Sequence, residues 1–235
     1  MAVNTYSLDL ELSSTQGAVK TSATAALKIT GDLSIQLWVN FESLPANTVR
    51  MQFASMVDDA TGVTPYDFYL YNNGGTYELR LRNDNGTTNE EVAVAWTPST
   101  GTWYHVAATV ATATVKFYVG GAQQGTNQTF ANTRAASGTP GFAVGIYDAD
   151  SPTIRMFDGL VDELAIHNVA LTSFSTQADH TGEANLQGYW QFNNDLTDVT
   201  GANNLTGVNA PAFSTSVPFV TYGGVTINTG YSFFM

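Results

Sequence analysis

The chain has 235 residues, with 8 lysines and arginines against 20 aspartates and glutamates, a formal charge of −12, and no cysteine. Such acidity leaves few groups to neutralise phosphates, so nucleic acid and anionic lipid are excluded as non-specific partners, and without thiols there is neither a disulfide framework nor a thiolate metal site. Apolar residues at 43%, with 21 glycines punctuating them, describe a chain that packs a core rather than a disordered one.

In chain order, the N-terminal Met1-Ala2-Val3-Asn4-Thr5-Tyr6-Ser7 has no basic start and no apolar run, so no classical signal peptide is expected. No stretch of about 18 apolar residues occurs, and no membrane partner is expected. The first clear strand follows the turn-like Gly31-Asp32: Leu33, Ile35, Leu37, Val39 and Phe41 fall on one face, with Ser34, Gln36, Trp38, Asn40 and Glu42 on the other. Tyr77, Leu79 and Leu81 alternate with Glu78, Arg80 and Arg82 until Asn83-Asp84-Asn85-Gly86, a stop that works because Asn and Gly tolerate positive φ. Further short runs cover Val92 to Trp96, Trp103 to Val110, Val115 to Val119, Phe142 to Tyr147 and Leu160 to His167.

Many short strands without long amphipathic helices predict an all-β, two-sheet antiparallel jelly-roll β-sandwich. One short helix is expected around Thr172 to His180, with Thr172 as N-cap. No linker divides the chain, so residues 1–212 read as one domain. Residues 213–235 read as an extension, because from Val199 onward there is no Asp, Glu, Lys, Arg or His while apolar residues abound. That extension is expected to pack on its own domain or on a neighbouring chain, through self-association or contact with other structural proteins.

Several segments, in order, resemble the laminin-G-like, concanavalin A-like lectin/glucanase superfamily. Ser34-Ile35-Gln36-Leu37-Trp38-Val39 is similar to its early tryptophan-bearing strand, and Trp103-Tyr104-His105-Val106-Ala107 to its Trp-x-His-Val-Ala strand. Val115-Lys116-Phe117-Tyr118-Val119-Gly120-Gly121, Phe142-Ala143-Val144-Gly145 and Phe157-Asp158-Gly159-Leu160-Val161-Asp162-Glu163-Leu164-Ala165-Ile166-His167-Asn168 follow, the last leading into Ala170-Leu171-Thr172. The Gly-x-x-Asp-Glu strand is the most specific of these. Together they cover roughly residues 5 to 195. The chain departs from the family at Gly120-Gly121, where a Val-Asp-Gly turn is common, and at Leu8 to Leu12, where a Phe-Asp-Gly pattern is usual. The resemblance implies a jelly roll that often binds calcium and sometimes sugars or proteins, without fixing a function.

Strand parity places Asp162 on a face with Leu160, Leu164 and Ile166, and a carboxylate there needs a partner. Two partners are open: a structural Ca²⁺ completed by backbone carbonyls, as the resemblance implies, or hydrogen bonds from backbone amides or a buried Tyr or Trp. Asp148 and Asp150, with Asp158, read as a solvated acidic loop, and Asp58-Asp59 and Glu90-Glu91 as exposed charges. The Glu-x-Asp-x-Glu strand of the family's glucanases is missing, Asp162 and Glu163 should point to opposite faces, and no nucleophile elbow, His-Glu-x-x-His or Walker loop occurs, so no enzyme is expected. His105 reads as a packed or hydrogen-bonded strand residue. For sugars, Tyr66, Phe68, Tyr69 and Tyr71 precede Asn72-Asn73-Gly74-Gly75, which makes Tyr71, Asn72 and Tyr147 the candidate ligand-binding residues.

These readings predict a non-catalytic structural, decoration or adhesion protein of a larger assembly, such as a phage virion or surface filament, located on a virion or extracellular surface. It would act by protein–protein and glycan contacts. The alternatives are a calcium-dependent carbohydrate-binding lectin module and, behind it, a glycoside-active enzyme.

Overall fold

The structure is a computed structural model, which describes residues 4–149, 155–174, 179–222 and 225–228. The strands in chain order are β1 (Ser7–Leu10), β2 (Gly17–Lys20), β3 (Leu33–Phe41), β4 (Arg50–Val57), β5 (Thr64–Asn73), β6 (Thr76–Asp84), β7 (Asn89–Ala95), β8 (Trp103–Ala111), β9 (Thr114–Val119), β10 (Ala122–Thr129), β11 (Gly141–Val144), β12 (Gly159–His167), β13 (Leu186–Trp190), β14 (Thr206–Val208), β15 (Ala212–Ser214), β16 (Phe219–Tyr222) and β17 (Val225–Asn228). They form an eight-stranded sheet in the order β10-β9-β8-β3-β12-β1-β15, with β13 also paired to β12, and a seven-stranded sheet in the order β14-β2-β11-β4-β5-β6-β7. Strands β16 and β17 make a separate hairpin. All the pairings between these strands are antiparallel. This is the predicted all-β sandwich.

The core lies between the sheets and is filled by alternate side chains. Leu33, Ile35, Leu37, Val39 and Phe41 of β3 meet Leu79 and Leu81 of β6 and Phe68 and Leu70 of β5 in one buried cluster. Aromatic rings fill the core: Phe41 lies 5.4 Å from Phe157, Phe53 lies 5.1 Å edge-on to Phe68 within one sheet, and Phe142 stacks on Trp190 of the other sheet at 5.0 Å.

The second face of β3 is buried too. Ser34, Gln36 and Trp38 are all covered: over Ser34 runs the chain leaving β12, with Ser34 Oγ donating to Val169 O at 2.7 Å and accepting from Leu171 N at 2.8 Å, while Trp38 lies against Trp103, Leu160 and Phe219. Residues 171–174 of this crossing are bends and coil, not the start of the expected helix, and 175–178 lie outside the described residues. The described helical structure is a single 3-10 turn, Leu12–Ser14.

Past Thr206 the chain returns to the domain. Strand β15 pairs with β1, and Phe219 packs on Trp38, Trp103 and Leu160, its ring 5.2 Å from that of Trp38. Residues 229–235 of the expected extension lie outside the described residues. Among the described residues no helix is long and apolar enough to cross a membrane.

Candidate functional site

The outward face of the seven-stranded sheet gathers chemistry that the rest of the molecule lacks. Cross-strand register sets it in rows: Arg50 beside Tyr71 and Glu78, Gln52 beside Tyr69 and Arg80, and Asp67 beside Arg82 and Glu91. Strand parity explains the selection, since Phe68, Leu70, Leu79 and Leu81, which alternate with these residues, point into the core. Four of the chain's eight cations, Arg50, Arg80, Arg82 and Arg155, meet here.

Asp67 and Gln52 form the floor and are fully buried. Gln52 Nε2 donates to Asp67 Oδ1, while Asp67 Oδ2 and Gln52 Oε1 have no hydrogen-bond partner. Burial pushes the Asp67 carboxyl up to about 6, and the guanidiniums of Arg82, Arg50 and Arg155 hold it from going further. Above it, Arg50 donates to Glu91 at 2.5 Å and Arg80 to Glu91 and Glu78 at 2.9 and 2.6 Å. Burial alone would raise Glu91, but Arg50, the neighbouring Tyr69 hydroxyl and Arg80 outweigh it and hold the carboxyl below its usual range.

The three residues expected to bind sugar fare differently. Tyr71 and Tyr147 border this face, yet guanidiniums already cover their rings, Arg80 at 4.0 Å from the Tyr71 centroid and Arg155 at 3.9 Å from that of Tyr147. Tyr147 also accepts from Arg82 Nη1 at 2.6 Å. Asn72 is buried and its amide is spent on the turn, donating to Pro45 O and accepting from Gly75 N, both at 2.8 Å. Of the neighbouring aromatics, Tyr66 and Phe68 belong to the core and Tyr69 lies beneath Arg50, 4.7 Å from its guanidinium. The sequence reading passed over Arg50, Gln52, Asp67, Arg80, Arg82, Glu91 and Arg155. The alternation of Asp67, Tyr69 and Tyr71 on one strand and Glu78, Arg80 and Arg82 on the next was the available signal.

Asp162 stands on the outer face of the other sheet, and here the sequence parity fails. A bulge between Asp162 and Ala165, with Glu163 at φ 50°, inserts one residue. Asp162 therefore shares a face with Leu160 and Trp38, whereas Leu164 and Ile166 turn into the core. The expected opposition of Asp162 and Glu163 fails for the same reason, because both carboxylates accept from Asn4 Nδ2, at 2.7 and 3.2 Å. Tyr189 donates to Glu163 Oε2, and Asp162 Oδ1 accepts the Glu163 amide at 3.0 Å. Burial, and for Asp162 its neighbour Glu163, raise both carboxyls well above the usual range. His105, next in register beyond Trp38, is buried against Gln36 at 3.1 Å, and burial followed by the nearby His180 lowers it to about 3.

A calcium ion asks for six to eight oxygen ligands. Asp162 Oδ1 is met by N–H donors from Asn4 and Glu163, as the hydrogen-bonded reading expects, while its Oδ2 has no hydrogen-bond partner. Oxygen donors converge elsewhere: among the described residues, carboxylate oxygens of Asp9, Glu11 and Glu42 lie within 4.8 Å of one another. Burial and then Asp9, Glu11 and Asp158 raise Glu42. Asp158 itself is tied by Leu12 N at 3.0 Å and Ser43 Oγ. Asp148 and Asp58, read as solvated, are buried, and Asp150 lies outside the described residues. Glu90 caps Ala131 N and Asn132 N at 2.9 and 2.8 Å instead of standing free.

A family model described as concanavalin A-like lectin/glucanases superfamily matches residues 13–174. The chain belongs to this superfamily. Solved structures with the same lectin-like sandwich include a candidate carbohydrate-binding protein from Bacteroides ovatus, with a TM-score of 0.64, 17% identity and 91% of this chain covered. The chain spans 60% of the length of that protein. The carbohydrate-binding module of a Ruminococcus gnavus sialidase, solved with α2,3-sialyllactose, aligns at a TM-score of 0.52 and 12% identity, over 67% of this chain and 93% of the module. The enzymatically active domain of bacteriophage CBA120 tailspike protein 2 aligns at 0.52 and 10% identity, over 83% of this chain and 34% of that one. No curated protein matches the sequence.

Proposed function

We propose that this superfamily member binds glycans without transforming them, through the outward face of the seven-stranded sheet. One observation carries the reading. In a chain of charge −12, arginines, carboxylates and tyrosines are interleaved on one face, over a buried floor where Asp67 Oδ2, Gln52 Oε1 and Arg50 Nη1 lack hydrogen-bond partners. A sugar hydroxyl donates and accepts at once, so adjacent hydroxyls satisfy a guanidinium and a carboxylate together. The likeness to carbohydrate-binding folds supports the same reading.

Catalysis is left out of the proposal on geometry. Glycoside hydrolysis needs two carboxyl groups flanking an accessible bond, whereas Asp162 and Glu163 are sealed and share one amide donor. We further propose that the domain works as an adhesion or decoration part of a larger assembly on a virion or extracellular surface, the uncharged residues after Val199 supplying the contact. The likeness to a phage tailspike domain favours this.

Glycan-array screening followed by calorimetry tests the main reading. We expect binding to at least one oligosaccharide class, lost by at least about tenfold in Arg80→Ala. Silence across the array with folded protein would overturn it. Light scattering on the intact chain and on a chain ending at Ser214 tests assembly, with self-association expected in the intact chain only.

A further inference from the structure

Arg155 differs from the other three arginines of the face. Arg50 and Arg80 are paired with Glu91, and Arg82 with Asp84 at 2.8 Å. Arg155 makes no ion pair among the described residues, and its Nη1 is buried without a hydrogen bond. The guanidinium is nevertheless held: it lies flat on Tyr147, whose hydroxyl is fixed by Arg82, and the backbone beneath it is anchored where Gln52 N donates to Arg155 O at 3.3 Å. Its φ of 56° is a conformation that a side-chain-bearing residue keeps only where its surroundings impose it. On the same face Arg50 Nη1 lies 4.0 Å from Asp67 Oδ2 and makes no hydrogen bond.

We infer that the glycan bound on this face carries a carboxylate, as a uronic or sialic-type sugar does, and that Arg155 is the residue that reads it. A pre-positioned guanidinium that makes no ion pair among the described residues is suited to a planar oxyanion, which it engages through two parallel N–H donors. A densely charged chain such as a sulfated polysaccharide would meet the repulsion of a protein at −12, so the acid is an isolated sugar among neutral ones.

The inference rests on the glycan-binding reading, and the test separates the two. Binding of three matched oligosaccharides is measured, one neutral, one ending in a carboxylated sugar and one with a sulfate at the same position, to the full chain and to R155Q and R155K. The carboxylated form is expected to bind about tenfold or more tightly than the neutral one. That ratio should fall to about one in R155Q and recover in part in R155K, with melting curves confirming that both variants fold. Equal binding of neutral and carboxylated forms, preference for the sulfated form, or a preference that survives R155Q overturns the inference alone. If none of the three binds and an array is silent, the glycan reading falls with it.

Discussion

Asp162 and Glu163, neighbours in the chain, present their carboxylates to one amide nitrogen, Nδ2 of Asn4, at 2.7 and 3.2 Å. Neighbours in a regular strand would diverge; the bulge at Glu163 brings them together. Both carboxyls are raised by burial, so the folded state holds protons that the unfolded state has already released at neutral pH. Stability from this pair is therefore full below about pH 4, the unfolded range of Asp and Glu, and is lost as pH rises toward the folded values. Asp162→Asn keeps the Oδ1 acceptor and places its amide where Oδ2 has no donor. We expect it to flatten the decline in melting temperature between pH 5 and 9, as read by thermal denaturation. An unchanged slope would contradict the account of two buried, raised carboxyls.

Glu91 works with the opposite sign. Its carboxyl is lowered because Arg50, Tyr69 and Arg80 outweigh burial, so its contribution is present above about pH 4.5 and disappears as pH falls through its folded value. The group keeps 23% of its side-chain exposure, so solvent screening limits the effect. Glu91→Gln should cost about 1 kcal/mol at pH 7 in denaturant titration, less in high salt, and should loosen Arg50 and Arg80 enough to weaken glycan binding.

Gly159 joins the acidic corner to β12 at φ 132°. A Cβ there would lie 2.1 Å from Asn40 O and 2.8 Å from Glu42 N, both backbone atoms that have no room to yield. Gly159→Ala should cost at least about 3 kcal/mol, seen as a lower urea midpoint.

Calcium, where it binds, should go to Asp9, Glu11 and Glu42, since their mutual repulsion is relieved by a divalent cation. Millimolar calcium is expected to raise the melting temperature of the chelator-treated protein and to leave Glu42→Gln little affected. A calcium response that survives Glu42→Gln but vanishes in Asp162→Asn would return the site to Asp162.

Phe219 fills a space bounded by Trp38, Trp103 and Leu160. Phe219→Ala should destabilise the domain by about 3 kcal/mol in urea titration. A cost near zero would show that residues beyond Ser214 contribute nothing to the domain.

The sandwich was legible because its signal is local: a strand half-buried in a core must alternate, and β3, β6 and β8 do so in the primary structure alone. The Asp-Glu strand and the Trp-x-His-Val-Ala strand likewise announced the superfamily. What local pattern could not reveal was the covering of Ser34 by Val169 and Leu171 and of Trp38 by Phe219, which depends on chain segments far from β3 in sequence. A bulge is equally silent, since one inserted residue changes no composition yet sets Asp162 and Leu164, which strict parity puts on one face, on opposite faces.

Sequence by itself determined the fold class and the superfamily, because alternate burial and short strand motifs are properties of the chain. Only tertiary structure decided the site. Arg50, Asp67, Arg82, Glu91 and Arg155 come from β4, β5, β6, β7 and the connection before β12, and they meet because sheet register, not sequence spacing, sets which side chains share a face.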